Sequence, residues 1–473
     1  MTTRRQDDSS PYECVMFPIC PRVLENPATR GIIIENDFTS GTPTNTRVVG
    51  GKILLGDETT WTLAYDSPTV AIFRLRGFAD KLVGYGWDQA NSRILALIYN
   101  GANWTTAVIH TGVSNICDAT SNYDGDINHF QEFLGALYYA AYYHTGAGGG
   151  EQKVYRSTDL QTWAQYGGAA GGSAGPTCIT VHAGLLHIGD HPRPTGGSGQ
   201  KIQREQGGTW ADWLTGRNVY SMVSAFGKLI FGEGTTDANS GNKVKSYDGA
   251  SLVEIVNLGM ARPAYSLWLW SKNGKVYIGR AGGTGGNSGI LEYDGVSAPV
   301  ERFNSGSTTA HLWDITEADV AGVKMLLAAV GTQVFKSDDG TTWTNIGTPL
   351  AGQKVLTVWP YKGRRYVGLA NGDVYRSLFF KTSGTYLLNE RDLGATKTSA
   401  QVAVTATIPS GTALQTRLGY ASTSGGPYTY TSWSSQLAFT AAINGRYLVV
   451  EFQLTGDGLT SPSVDAVSVI TWT

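Results

Sequence analysis

Short apolar runs recur along the middle of this chain, each opened by a turn. They read GALYYAAYY (135–143), GLLHIGD (184–190), GKLIFGEG (227–234), GKVYIGRA (274–281), VKMLLAAVG (323–331) and GRRYVGLANG (363–372). They are too short for helices and rich in Val, Ile, Leu and Tyr, which predicts buried strands. A polar turn recurs beside them: YNGANW (99–104), STDLQTW (157–163), REQGGTW (204–210), SYDGAS (246–251), EYDGVS (292–297) and SDDGTTW (337–343). Anchored on Asn100, Asp159, Gln206, Asp248, Asp294 and Asp339, the steps are 59, 47, 42, 46 and 45 residues. A further unit begins at VYRS (374–377) and then diverges. A period near 45 with several short strands per unit predicts an all-β fold, a β-propeller. Each unit reads as an inner strand, the apolar strand, a strand entering the polar turn and an outer strand leaving it. About seven blades are expected between residues 69 and 387. Six is the alternative, because the first step is long and the last unit lacks its turn.

The turn residues have structural work. Asp or Asn bonds its own backbone two residues on. Gly249, Gly295 and Gly340 stand where a positive φ is needed. Trp163 and Trp343 bring large apolar faces to pack between sheets. Asp159, Trp163, Asp248, Asp294, Asp339 and Trp343 are therefore assigned to turns, away from the central channel. STDLQTW and SDDGTTW resemble the Asp-box of bacterial-neuraminidase-repeat propellers, Ser-x-Asp-x-Gly-x-Thr-Trp, one residue shorter than its commonest spelling. The first copy has Leu160-Gln161 where the family has Gly. The resemblance implies the fold. It does not choose a function, since sialidases, other glycosidases and non-catalytic propellers share the box.

The two ends depart from the blade period. Residues 388–473 alternate, as in QVAVTATI and RYLVVEFQL, which predicts a jelly-roll-like β-sandwich. Asp392-Leu393-Gly394, IPSGTALQTRLGYAS and GRYLVVEFQL resemble small sandwich domains of phage tail and fibre proteins. Residues 1–68 hold Pro, Thr, Asn and Gly clusters around RGIIIE and RVVGGKILLG. They read as an extended arm that anchors to neighbours or donates a closing strand to the last blade.

Composition narrows the class. Glycine is 61 of 473 residues and charged residues are 16%. That favours many strands joined by tight turns. A net charge of −2 gives no case for nucleic acid. No apolar run is long enough for a membrane span. MTTRRQDDSSPYECVMFPICP lacks the apolar core of a secretory signal. Four cysteines (Cys14, Cys20, Cys117, Cys178) are too few for a disulfide framework.

Candidate chemistry is sparse. Phe73-Arg74-Leu75-Arg76 is the stretch nearest the Phe-Arg-Ile-Pro of sialidases, and Arg364 and Arg365 are further arginines. A glycosidase needs two facing carboxylates, and the turn acids are already explained. His182, His187 and His191 cluster in sequence; the odd spacing of the first two would put them on opposite faces of a straight strand, and a turn at Ala183-Gly184 removes even that relation. Asp124, Asp126 and Asn128 offer oxygen ligands at alternate positions, a candidate calcium loop without a distal Glu. No other cofactor is implied. Gly-rich loops HTGAGGGEQ, DHPRPTGGSGQ, GEGTTDANSGN and RAGGTGGNSG make one propeller face asymmetric. Trp268, Trp270, Trp313, Trp359 and Tyr361 on nearby inner strands suit stacking against sugar rings.

These features predict a non-catalytic structural or adhesive component of a phage-like virion, in the tail, tail tip or a fibre. The propeller would be a docking or host-surface-binding platform. Its partners would be other virion proteins in an oligomeric assembly and a host-surface glycan, with no nucleic acid and no membrane insertion. The alternative is a sialidase-like propeller glycosidase or a lectin acting on surface glycans.

Overall fold

Seven four-stranded antiparallel sheets make a seven-bladed β-propeller. The computed structural model describes residues 31–35, 38, 40–49, 51–67, 69, 71–113, 130–144, 150–167, 174–192, 201–216, 218–234, 242–259, 264–283, 286–320 and 323–473. The inner strands are Ile72–Phe78, Phe130–Phe133, Ala174–His182, Asn218–Ala225, Ala264–Trp270, Leu312–Val320 and Val355–Tyr361, in blade order. Successive inner strands pack side by side, and the seventh returns to the first.

Among the described residues, five inner strands turn into their neighbours through two-residue hairpins, at 79–80, 134–135, 183–184, 226–227 and 362–363. Both residues of each hairpin have positive φ, as in Ala183 (48°) and Gly184 (76°). That conformation matches the twist of the flanking strands. In blade three it sets His182 beside His187, with ring centroids 5.6 Å apart. The chain reverses at Ala183-Gly184, as the sequence suggests, so the strand parity of the two histidines does not apply.

Blade seven explains its missing turn. Its first three strands are Val355–Tyr361, Arg364–Leu369 and Val374–Leu378. The fourth is Thr62–Tyr65, which pairs with Val374, Tyr375 and Arg376 from about three hundred residues upstream. The ring is thus closed by a strand from the N-terminal segment.

The rest of that segment joins the C-terminal module. Gly31–Glu35 pairs with Val467–Thr471, and Thr42–Thr44 with Thr385–Leu387. Thr46–Val49 and Lys52–Leu55 form a hairpin that touches the last strand through Ile53 and Val464. The result is one ten-stranded sheet folded on itself as a sandwich. Its long strands Arg391–Thr407 and Ala438–Thr455 are shared between the layers. Ala400, Val402, Val467 and Val469 of one layer meet Leu414, Leu418, Val450 and Phe452 of the other in one core. Boundaries drawn at 68 and 387 therefore divide segments that these sheets join. The propeller is an insertion between the two halves of the sandwich.

The same kink recurs in six inner strands, and in five of them a polar residue follows it. The register slips by one at 72/74, 176/178, 219/221, 264/266, 312/314 and 355/357. The residues after the bulge are Arg74, Cys178, Ser221, Ser266, Asp314 and Thr357. A bulge re-aims the side chain it displaces. Here it sends the side chain to the neighbouring blade. Ser221 Oγ donates to the Ala264 carbonyl at 2.6 Å. Ser266 Oγ accepts from Ile315 N at 3.0 Å, Asp314 from Val358 N at 3.3 Å, and Thr357 Oγ1 from Leu75 N at 3.0 Å. Buried N–H groups facing the next blade are satisfied in this way.

Candidate functional site

The two best-matched turns share one geometry. Asp159 accepts from Gln161 N at 2.9 Å and Thr162 N at 2.8 Å, and the Ser157 hydroxyl donates to it. Asp339 accepts from Thr341 N and Thr342 N, both at 2.7 Å, and the Ser337 hydroxyl donates to it. Burial pushes the Asp339 carboxyl up, but the N–H bonds from Thr342 and Thr341 outweigh it and hold its pKa well below the usual range. Asp248 accepts from Ala250 N and Ser251 N, and Asp294 from Val296 N and Ser297 N. Trp163 donates to the Leu160 carbonyl at 3.0 Å, and Trp343 packs near Phe303. The four aspartates and Trp163 bond within their turns, and Trp343 packs on Phe303 of the preceding blade.

The five aromatic candidates separate. Trp270 is wholly buried and meets Tyr277 edge-on at 5.7 Å. Trp313 is 2% exposed and packs under His311. Tyr361 donates to the Asp80 carbonyl at 2.6 Å and packs with Tyr99 and Tyr366. Packing accounts for these three. Trp268 and Trp359 instead line a cavity in the central channel.

That cavity has a volume of about 320 Å³. It lies toward the hairpin end of the channel, because most of its lining comes from the middle and later residues of the inner strands. This end is opposite the one where each second strand leads on toward the third, the connections that hold the Gly-rich sequences. An inner strand crosses the full thickness of the disc, so proximity in sequence to those loops does not place a residue on their face. Only Trp313, near the start of its strand, lies on that side.

Two indole walls shape the cavity. Trp268 and Trp359 stand 6.1 Å apart at 74°. The Arg76 guanidinium lies 4.7 Å from the Trp359 ring and 6.0 Å from that of Trp268. Phe130, Leu137, Ile179, Met222 and Leu267 add apolar surface, and Gln131, Glu132, Thr180 and Ser266 add polar groups. The Trp268 indole N–H has no hydrogen-bond partner among the described residues. Glu132 is exposed, whereas Thr180 and Ser266 are buried.

Behind the walls sits a buried charge cluster. Arg76 donates to both oxygens of Asp314, at 3.2 and 3.3 Å. Thr357 donates to Asp314 at 2.7 Å, and Arg74 lies 3.7 Å away. Burial pushes the Asp314 carboxyl up, but the charges of Arg76 and Arg74 and its hydrogen bonds outweigh that, so it stays ionised below the usual carboxylate range. Arg74 donates to the carbonyls of Trp313 and Leu356. The arginines of the Phe73–Arg76 stretch are thus tied to blades six and seven. Arg365 is buried elsewhere, at the junction with the N-terminal segment, against Trp61 and Phe379.

Chemically, the cavity offers flat apolar faces, a polar edge and one exposed carboxylate. Among the described lining residues Glu132 alone is an acid, and Asp314 behind them is committed to Arg76 and Thr357. This arrangement suits holding a ring-shaped polar molecule. Among the described lining residues no second carboxylate faces Glu132, whereas glycoside hydrolysis uses a facing pair.

His182 Nδ1 lies 2.9 Å from Ser224 Oγ, and His187 Nδ1 lies 3.1 Å from the Leu185 carbonyl. Burial pushes the His187 pKa down to about 4. Among the described residues no group of three His, Cys, Asp or Glu side chains is placed to hold a metal ion. Asp124, Asp126 and Asn128 lie outside the described residues, as does the His191 side chain.

Sequence reasoning named Trp268 and Trp359 but missed Glu132, Thr180 and Asp314. No local pattern marks them. They converge only because seven inner strands share one axis.

No protein-family model and no curated protein matches this sequence. Solved propellers resemble it in fold. Virginiamycin B lyase from Staphylococcus aureus is 11% identical, with a TM-score of 0.48 over 69% of this chain and 98% of that one. A streptogramin B lyase is 13% identical, with a TM-score of 0.48 over 67% and 97%. YCF48 from Cyanidioschyzon merolae is 13% identical, with a TM-score of 0.44 over 68% and 99%. Likeness at this level leaves the activity of the present chain open, including the enzymatic activities found among propellers.

Proposed function

We propose that this chain is a non-catalytic adhesive or structural component of a phage-like particle, in a tail, tail tip or fibre. The propeller is its docking platform and the sandwich its pedestal. The observation that carries this reading is the insertion of the propeller between two halves of one sandwich. Both chain segments leaving the propeller are locked into the same module, so the propeller is displayed at the far side of a doubly tethered support. The sequence resemblance of the Ser-x-Asp turns to Asp-box propellers, and of the sandwich to phage tail and fibre modules, supports the assignment.

On this reading the central cavity takes the ligand, a surface glycan. Trp359 and Trp268 offer stacking faces, and Gln131, Glu132 and Thr180 offer hydrogen bonds. The cavity also favours a lectin-like role over glycan cleavage, because Asp314 is committed to Arg76 and Thr357.

The test is binding of the labelled full chain to cells that the particles infect, with Trp359→Ala and Glu132→Gln compared with the parent. Saturable binding lost in Trp359→Ala supports the platform role. Release of sugar from those cells by the purified chain would replace it with the glycosidase reading.

A further inference from the structure

Asp190 lies wholly buried on the second strand of blade three, Leu185–Pro192. Neither of its carboxyl oxygens has a hydrogen-bond partner among the described residues. Gln203, on the third strand Lys201–Gln206, is 3% exposed, and its Oε1 also lacks a donor. The two side chains share one face of the sheet. Gln203 stands opposite Ile188, and Asp190 follows two residues on, which makes the pair diagonal neighbours across the strands. Buried acceptors left without donors are costly, and a buried carboxyl relieves that cost by holding a proton. The acid form then has one O–H to give, and Gln203 Oε1 has lone pairs to receive it.

The surrounding charges fit a neutral acid here. Lys201 Nζ lies 2.8 Å from Asp212 of the fourth strand, to which Gln203 Nε2 also donates at 2.9 Å. The lysine is therefore already paired. On the blade-two side, Arg156 lies over Tyr138, and Tyr166 donates to Glu205. Lys153 adjoins Val154, whose side chain takes that side, so Lys153 faces away from it. His187 alternates to the opposite face, where His182 meets it and where the blade-four strand Asn218–Ala225 brings Tyr220 as its one ionisable side chain. Burial pushes the Asp190 carboxyl well above the usual range, against the pull of Lys201 and with the push of Asp212.

We propose that Asp190 and Gln203 form a buried proton-holding pair, with the Asp190 O–H donating to Gln203 Oε1, and that Lys201 passes from Asp212 to Asp190 when the proton leaves for solvent. Lys201 comes next opposite Asp190, because the ladder runs Gly189 with Ile202. The Asp212 side chain is 47% exposed, so water holds its charge once the lysine has gone. The outer strand Thr209–Thr215 then keeps its tie to Gln203 and loses its tie to Lys201. Blade three thus carries a switch that responds to rising pH.

The test is infrared spectroscopy of the full chain in heavy water, which separates the C=O stretch of a protonated carboxyl from that of carboxylates. The parent should show this band at neutral pH. Asp190→Asn, whose amide N–H replaces the O–H, should lose it and still fold. Asp212→Asn releases Lys201 to Asp190, so the band should be lost there too. Melting temperatures give a second readout. The folded chain keeps a proton that the unfolded chain releases above about 4, so the pair's contribution is full below about 4 and is lost as pH rises toward the folded value. The parent should therefore lose melting temperature relative to Asp190→Asn as pH rises from 4 to 8. No band in the parent, a band that persists in Asp190→Asn, or a melting difference that ignores pH would overturn the pair. A band of full height in Asp212→Asn would overturn the exchange of partners. A parent melting temperature at neutral pH that rises with Na+ or Ca2+, with no such rise in Asp190→Asn, would put a metal ion in the proton's place and overturn both.

Discussion

The Thr357 hydroxyl donates to the Asp314 carboxylate at 2.7 Å, joining blade seven to blade six. Thr357 Oγ1 then accepts from Leu75 N, which carries the chain of bonds on to blade one. Blade seven borrows its outer strand from far upstream, so this inner ring is a second closure at the same seam. Asp314→Ala leaves Arg74 and Arg76 buried beside a lost counter-charge. Removing one partner of a buried ion cluster costs about 3–5 kcal/mol. Chemical denaturation followed by tryptophan fluorescence should show that loss, and Asp314→Asn should show part of it. The pH dependence has a definite sign. The folded pKa of Asp314 is depressed, so its contribution is full above the unfolded value of about 4 and is lost as pH falls through the folded one.

Leu160 and Gly340 occupy equivalent turn positions with φ of 67° and 79°. They are not interchangeable. A Cβ on Gly340 would overlap the Tyr277 hydroxyl and lie 2.9 Å from Trp270. Leu160 instead buries its side chain beside the blade-two core. Gly340→Ala should therefore destabilise by more than the ~1 kcal/mol usual for alanine at positive φ. Leu160→Gly relieves the backbone but removes a buried side chain worth about 2–5 kcal/mol, so it should also destabilise. Melting temperatures of the two variants check both statements.

Blade spacing was legible because the Asp turns bond only their own neighbours, and such local chemistry repeats visibly in sequence. The closing strand was legible only as a capacity of the N-terminal arm. Its register against Val374–Arg376 depends on a partner about three hundred residues away. The cavity was half legible. Trp268 and Trp270 look alike in LWLW, yet one faces the channel and the other is wholly buried among blade residues. Depth along the inner strand decides this, and the sequence does not number the depth. The bulges add to the difficulty, because each shifts strand parity by one.

His187 faces His182, Trp213 and the Leu185 carbonyl, with Arg204 opposite it across the sheet. Burial lowers its folded pKa to about 4, and the nearby charges of His182 and Arg204 act in the same direction. Its neutral form therefore contributes stability fully above the unfolded value of about 6.5. That contribution is lost as pH falls from there through about 4. His187→Gln should flatten the change in melting temperature between pH 7 and pH 4.5.

Lys336 joins propeller and pedestal. It lies 2.7 Å from Asp57 and 3.1 Å from Asp338, and Arg47 pairs with both acids. Asp57 and Arg47 belong to the N-terminal segment, while Lys336 and Asp338 belong to blade six. Lys336→Met keeps the apolar stem and removes the charge, leaving two carboxylates with one cation. Calorimetry should show propeller and sandwich melting as two transitions in this variant and as one in the parent.

The most direct test of the adhesive-component reading is where the chain travels. Particles from the source culture would be banded on a density gradient and the fractions analysed by mass spectrometry. Co-migration of this chain with DNA-containing particles, at constant ratio across the band, is the predicted result. Recovery of the chain only in the soluble fraction, with none in the particle band, would contradict it.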